Sequence, residues 1–214
     1  MNLGNLLIFG DSYSTFEGFI PEGYIPYYIY GGRPEMDVSL PEETWWQLLA
    51  AATGANLVRN DSWSGSTICY TGYNGVDCSM SSSFIYRLRK MKAEGFFEEN
   101  HIDTVIIFGG TNDSWAGVEA GKFVYSDWTK EDLHTILPAI ACMIAEVQEI
   151  LPNAKILCIS NSDIREVVQE GMREIAAHYG VSFLQLVNVE KKCGHPSIQG
   201  MKDICSQILT VLDK

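Results

Sequence analysis

The sequence predicts an α/β fold with a central five-stranded parallel sheet and helices on both faces. Short apolar runs rich in Ile, Val, Leu and Phe recur without clean alternation, which suits strands buried on both sides. Segments with apolar residues three or four apart lie between them. Strand and helix alternate along the chain, an order that requires right-handed crossovers and hence a parallel sheet.

The strand candidates are residues 3–9, 56–59, 104–108, 155–159 and 181–186. The first helix carries Trp45, Leu48, Leu49 and Ala52, and a weaker one covers 83–92. Leu133, Ile136, Ile140, Ile144, Val147 and Leu151 mark the next, followed by one through Val168, Met172 and Ile175 and a last one through Ile198, Met201, Ile204 and Ile208. Asp163 with Glu166 three residues later has the pattern of a capping box, and Gly54 and Gly180 stand where helices should end. Pro138 conflicts with one continuous helix over 129–151, so the chain should kink or start afresh there.

With 214 residues, 46% of them hydrophobic, the chain can bury one sizeable core, and one domain over 1–214 is expected. Fifteen basic against 27 acidic residues give a net charge of −12, which argues against nucleic acid and anionic membrane surfaces as partners. The basic cluster from Arg87 to Lys92 reads as the solvated face of a helix. No stretch approaches the roughly 20 apolar residues of a membrane span. The first apolar run lacks the flanks of a signal peptide, so the expected location is cytoplasmic as the sequence is written, or exported if a leader was removed. Six cysteines match no zinc-binding spacing, and no metal is expected. Cys142, Cys158 and Cys205 fall on apolar stripes as small core residues. Cys69 and Cys78 share a Gly- and Ser-rich loop and would bridge only in an exported protein. Cys193 is a candidate reactive thiol.

Chemistry concentrates where strands end. Gly10-Asp11-Ser12 breaks the first apolar run and presents Ser12 on the following turn. Gly65, in Asn60-Asp61-Ser62-Trp63-Ser64-Gly65, and Asn112, in Gly109-Gly110-Thr111-Asn112-Asp113, follow the next two runs, and His195-Pro196 follows the fifth by a longer loop. Ligands of such sheets bind outside the carboxyl ends of the strands, where strand order reverses. In the order 2-1-3-4-5 the first three strands are neighbours and their loops can converge. A serine hydroxyl needs a base to become a nucleophile. His195 is the candidate, because His134 and His178 fall inside helices and His101 in an acidic turn. The backbone N–H groups of Ser12 and Gly65 and the Asn112 amide could meet an oxyanion, each such donor contributing about 3 kcal/mol. The plainer readings are a simple turn at Ser12, an unusual backbone angle at Gly65, and a helix start capped by Ser197. Asp113 is assigned to structure, hydrogen-bonding loop backbone.

The four blocks, in this order and spanning residues 8–196, resemble those of the SGNH, or GDSL-type, serine hydrolases. The resemblance implies a flavodoxin-like three-layer αβα sandwich and acyl-ester hydrolysis without metal or organic cofactor. It makes Ser12 the nucleophile and first oxyanion donor, Gly65 and Asn112 the other donors, and His195 the base. Two positions depart from the family pattern. Tyr13 replaces the usual leucine, and Lys192 stands where an aspartate should precede the histidine by three. Losing the carboxylate that orients the imidazole can cost about 10⁴ in turnover. Three readings stay open: Glu190 reaches His195 by another loop shape, a backbone carbonyl accepts the imidazole N–H, or the protein is catalytically weak.

The segment 13–43 is an aromatic-rich insertion holding Phe16, Phe19, Tyr24, Tyr27, Tyr28 and Tyr30, too long for a routine connection, and it should lie beside Ser12. Loops 66–82, with Tyr70 and Tyr73, and 114–128, with Trp115 and Tyr125, leave from the same edge. Rings with polar handles suit sugar faces, which points to a small-molecule or glycan ester, O-acetylated carbohydrate above all. The same rings could pack under their own loops or form a homodimer surface. The rival functions are an inactive carbohydrate-binding protein on this scaffold and a thioesterase or lysophospholipase.

Overall fold

The apolar runs form β1 (Asn5–Gly10), β2 (Asn56–Ser62), β3 (Thr104–Phe108), β4 (Lys155–Ser160) and β5 (Ser182–Gln185). In the computed structural model, which describes residues 3–212, these strands lie in the order β2-β1-β3-β4-β5, every neighbour parallel. Gly10 pairs with Ser62 on one side and Phe108 on the other, so β1, β2 and β3 end level. That register sends the chain segments carrying Ser12, Gly65 and Asn112 out of one sheet edge.

Side chains alternate across the sheet, as a pleated strand requires. Leu6, Ile8, Ile106, Phe108 and Ile159 join the cluster that holds Trp45, Trp46, Leu49, Met201, Ile204 and Ile208. These come from α1 (Trp45–Thr53) and α7 (Ile198–Leu212), which pack on one another. Leu7, Phe9, Val105, Ile107 and Cys158 join the opposite cluster. That layer is built by α2 (Phe84–Ala93), α5 (Ile136–Ile150) and α6 (Glu166–His178), with α2 and α6 both against α5. The result is a three-layer αβα sandwich. Each fully buried large apolar side chain contributes about 1.5–3 kcal/mol to holding it.

Local signals resolve in different ways. Gly54 takes the left-handed conformation (φ 70°) that ends α1, and Ser83 caps α2 by accepting from the Tyr86 N–H. Pro138 marks a fresh start, not a kink: it is the third residue of α5, where an N–H has no helical acceptor and its loss is harmless. The capping box at Asp163 does not form. Helix α6 begins after Arg165 without a side-chain cap, and the Asp163 carboxylate accepts from the Lys191 ammonium at 2.6 Å instead. Arg87 is not on a solvated face. It is fully buried, whereas Arg89, Lys90 and Lys92 are exposed.

Two short helices, α3 (Phe96–Glu99) and α4 (Thr111–Trp115), have no counterpart in the periodicity, and neither does the hairpin of β6 (Lys191–Lys192) and β7 (His195–Pro196). All six cysteines are free thiols, so Cys69 and Cys78 do not bridge. No helix among the described residues is long and apolar enough to cross a membrane.

Candidate active site

The turn after β1 is built on close approach. A Cβ on Gly10 would lie 2.5 Å from the Ser62 hydroxyl and 2.6 Å from Ser14, which only glycine avoids. Asp11 then accepts the Tyr13 N–H at 3.0 Å and starts a 3₁₀ turn, Ser12–Ser14, with Ser12 only 4% exposed. Burial pushes the Asp11 carboxyl up to about 7, against the lowering effect of the Tyr13 N–H.

His195 opens β7, one residue after a turn in which Cys193 (φ 47°) and Gly194 (φ 77°) both take left-handed backbone. Its Nε2 lies 2.9 Å from Ser12 Oγ, and its Nδ1 lies 3.3 Å from the Cys193 carbonyl. A carbonyl can only accept, so Nδ1 carries the proton and Nε2 is left to accept from the serine hydroxyl. Burial lowers the imidazole pKa below 6.5, partly offset by the Cys193 carbonyl and reinforced by Arg33 and Lys191. The ring is therefore neutral near pH 7.

Glu190 does not orient this histidine. Its carboxylate accepts the Ser197 hydroxyl at 2.5 Å, and Ser197 in turn accepts the Gly200 N–H in the first turn of α7. Lys192 turns away to Asp37 at 2.7 Å. Of the supports open to sequence reasoning, the structure places the Cys193 carbonyl on Nδ1.

After β3, Asn112 donates from Nδ2 to the Ser66 carbonyl at 2.9 Å and accepts the Tyr73 hydroxyl on Oδ1 at 2.8 Å. These partners fix which end of the amide is nitrogen and leave its second N–H uncommitted. Among the described residues, neither the Ser12 nor the Gly65 backbone N–H donates to a protein acceptor. Gly65 has φ +80°, a backbone that side-chain-bearing residues rarely adopt.

Buried charge underlies these donors. Both Asp113 oxygens accept from the Ile68 N–H, and one also from the Cys69 N–H, at 3.0–3.1 Å, the backbone role expected of this residue. Arg87 pairs with Asp61 Oδ1 at 2.9 Å, with both side chains fully buried, and also bonds the Asp61 carbonyl. The same guanidinium reaches the Gly10 carbonyl at 3.2 Å and Ser66 Oγ at 3.3 Å, so one cation ties the ends of β1 and β2 to the Gly65 loop.

The 13–43 insertion braces both sides. Phe16 and Tyr28 are buried beneath their own loop. Tyr27 lies flat on His195, centroids 3.5 Å apart and planes 9° from parallel. The Tyr28 hydroxyl donates to the Pro196 carbonyl at 2.8 Å, and Asp37 accepts the Ile198 N–H at 3.0 Å. Towards Gly65, the Ile25 carbonyl accepts the Ser64 N–H at 2.9 Å and Tyr24 leans on Trp63, centroids 4.3 Å apart and planes tilted by 32°. Tyr13 sends its hydroxyl to the Gly194 carbonyl at 2.6 Å. Sequence reasoning placed the insertion near Ser12 but did not single out Tyr27, Arg87 or the Tyr73–Asn112 bond. No periodicity or motif marks contacts between residues so far apart. Among the described residues no group of His, Cys, Asp and Glu is arranged to hold a metal ion.

The model of the GDSL-like lipase/acylhydrolase family matches residues 4–212. A structure from Bacteroides uniformis, described as a GDSL-like lipase, is 40% identical over 98% of this chain and 95% of its own, with a TM-score of 0.91. Another so described, from Bacteroides ovatus, is 39% identical over 100% and 99%, also at 0.91. A family two carbohydrate esterase from Clostridium thermocellum shares the fold at 18% identity and TM-score 0.66, covering 64% of its own chain. No curated protein matches the sequence significantly.

Proposed function

We propose that this chain, which belongs to the GDSL-like lipase/acylhydrolase family and is an ester hydrolase, removes a short acyl group, acetyl above all, from a carbohydrate or related small ester. The observation that carries the reading is the 2.9 Å contact between Ser12 Oγ and His195 Nε2 beside uncommitted N–H donors.

The chemistry follows from those positions. Ser12 Oγ attacks the ester carbonyl carbon while its proton passes to Nε2 of His195. The oxyanion of the tetrahedral intermediate is met by the N–H groups of Ser12 and Gly65 and by the free N–H of Asn112. The imidazolium, its Nδ1–H donating to the Cys193 carbonyl, gives its proton to the departing alcohol oxygen and leaves an acyl group on Ser12. Water then attacks that acyl carbon as Nε2 takes its proton, and collapse returns the proton to Oγ and frees the acid.

A sugar-bearing substrate is supported by the rings around the serine. Trp115 is 42% exposed with its ring 6.2 Å from that of His195, and Tyr73, bonded to Asn112, is 39% exposed. Flat faces with polar edges suit pyranose rings better than acyl chains.

An ester panel run with wild type and Ser12→Ala tests the proposal. Wild type should favour acetyl over longer p-nitrophenyl esters and release acetate from O-acetylated oligosaccharides, and Ser12→Ala should fall to the uncatalysed rate. Turnover retained by Ser12→Ala rejects the mechanism. Preference for long acyl chains replaces the acetyl reading with a thioesterase or lysophospholipase, and sugar binding without turnover replaces it with a binding protein.

A further inference from the structure

We infer that Tyr27 is a positioning residue for His195, its ring face supplying part of the support that a carboxylate gives the imidazole in other serine hydrolases. The inference rests on the assignment of Ser12 and His195 above. The acids around the hairpin that carries His195 are engaged elsewhere: Glu190 with Ser197, Asp37 with Lys192, Asp163 with Lys191 and Glu35 with the Cys193 thiol. The acceptor on Nδ1 is one backbone carbonyl at 3.3 Å, towards the long end of hydrogen-bond range. One bond at one edge leaves an imidazole free to roll about that bond. A ring lying 3.5 Å away and 9° from parallel stops the roll and holds Nε2 towards Ser12 Oγ.

Tyr27 is itself tied to the nucleophile. Its N–H donates to Thr15 Oγ1 at 2.7 Å, and the same hydroxyl donates to the Ser12 carbonyl at 3.1 Å. The circuit runs from Ser12 through Thr15 to Tyr27, across the stacked rings to His195, and back to Ser12 Oγ. Outside it, Arg33 Nε donates to the Tyr27 carbonyl at 2.5 Å, and the neighbouring Tyr28 holds the Pro196 carbonyl directly after the histidine. Position and charge then act together. When the Ser12 proton moves to Nε2 the imidazole becomes a cation, and the electron-rich face of a phenol ring attracts a cation more than the neutral ring it replaces. The stack strengthens as the transition state is approached, which raises kcat without tightening substrate.

A double-mutant cycle on p-nitrophenyl acetate, with Tyr27→Phe, Tyr27→Leu, His195→Ala and Tyr27→Leu/His195→Ala, separates this role from others. Tyr27→Phe, which keeps a flat π face, should stay within about twofold of wild type. Tyr27→Leu should lose about tenfold or more in kcat with KM little changed. In the His195→Ala background the same Tyr27→Leu substitution should change the residual rate by no more than about twofold. A normal kcat for Tyr27→Leu, a loss confined to KM, or an equal loss with and without His195 overturns the inference; the last two would make Tyr27 a substrate-stacking surface. Tyr27→Met gives the same split should the leucine variant not fold. Full activity of His195→Ala would instead sink the assignment of the base, so the two failures are distinguishable.

Discussion

On the donor side of Ser12 the supports are buried: Asp113 holds the backbone of Ile68 and Cys69, and Arg87 with Asp61 binds the ends of two strands to the Gly65 loop. On the His195 side the buried Tyr13 and Tyr28 hydroxyls hold only backbone carbonyls, and the contacts on the imidazole and its hairpin are half-exposed: a turn carbonyl, a stacked tyrosine and the Lys192–Asp37 pair, whose side chains are 46% and 31% accessible. The difference follows from topology. Donors that follow adjacent strands inherit the sheet's register, whereas His195 arrives by a hairpin after an edge strand and must be fastened from outside by the 13–43 insertion. Damage to the donor side should therefore appear as lost stability, and damage to the histidine side as lost rate.

The largest effect expected is in rate. His195→Ala should lower kcat by about 10⁴ or more with an unchanged melting temperature. Glu190→Gln, beside it in the same steady-state assay, should leave kcat within about twofold, because its partner is Ser197. A large loss with Glu190→Gln would mean that the carboxylate swings to His195 during turnover. Next comes Arg87→Met, which strips the fully buried Asp61 carboxylate of its buried cation and leaves it only the partly exposed Arg59 at 3.3 Å, and should destabilise the fold by about 3 kcal/mol in urea denaturation. A loss below about 1 kcal/mol would put this pair on a par with a surface bridge and remove the contrast between the two sides.

Asp37→Ala should have a smaller effect and of the other kind. Removing an exposed bridge to Lys192 and the acceptor of the Ile198 N–H should reduce kcat/KM by up to about fivefold, with urea stability nearly unchanged. A stability loss as large as that of Arg87→Met would show that the histidine side is as structural as the other. Last is the pH profile. Burial holds His195 below its ordinary 6.5, so its neutral, proton-accepting form persists into mild acid. The acid limb of kcat/KM should then have its midpoint below 6.5, with activity lost as pH falls through it. A midpoint above 6.5 would require an acidic partner on the imidazole.

Much of the fold was legible because strands buried on both faces are apolar along nearly their whole length, as residues 105–108 are, and stand between segments of helical spacing. Gly10-Asp11-Ser12 and Gly109-Gly110-Thr111-Asn112-Asp113 were legible because a turn that ends a buried strand needs small or polar residues there. Arg87 was misread because a cation on a helix ordinarily faces water, and its partner, Asp61, lies on another element. The capping box at Asp163 failed because Lys191, remote in sequence, competes for the same carboxylate. Tyr27 belongs to an insertion without periodicity, so nothing local tells which of its rings faces the core, as Phe16 does, and which faces the histidine. Lys192 did show that the usual acid is missing. What replaces it depends on the hairpin turn, where Cys193 takes an unfavourable positive φ and its carbonyl meets Nδ1.

The central claim is that Ser12 is made nucleophilic by His195. Reaction with a fluorophosphonate, read by intact mass and peptide mapping, measures this most directly, because only an activated hydroxyl displaces the fluoride. Wild type should gain one phosphonyl group, mapped to Ser12, while His195→Ala reacts orders of magnitude more slowly and Ser12→Ala not at all. Labelling at another residue, or equally fast labelling of Ser12 without His195, would contradict it.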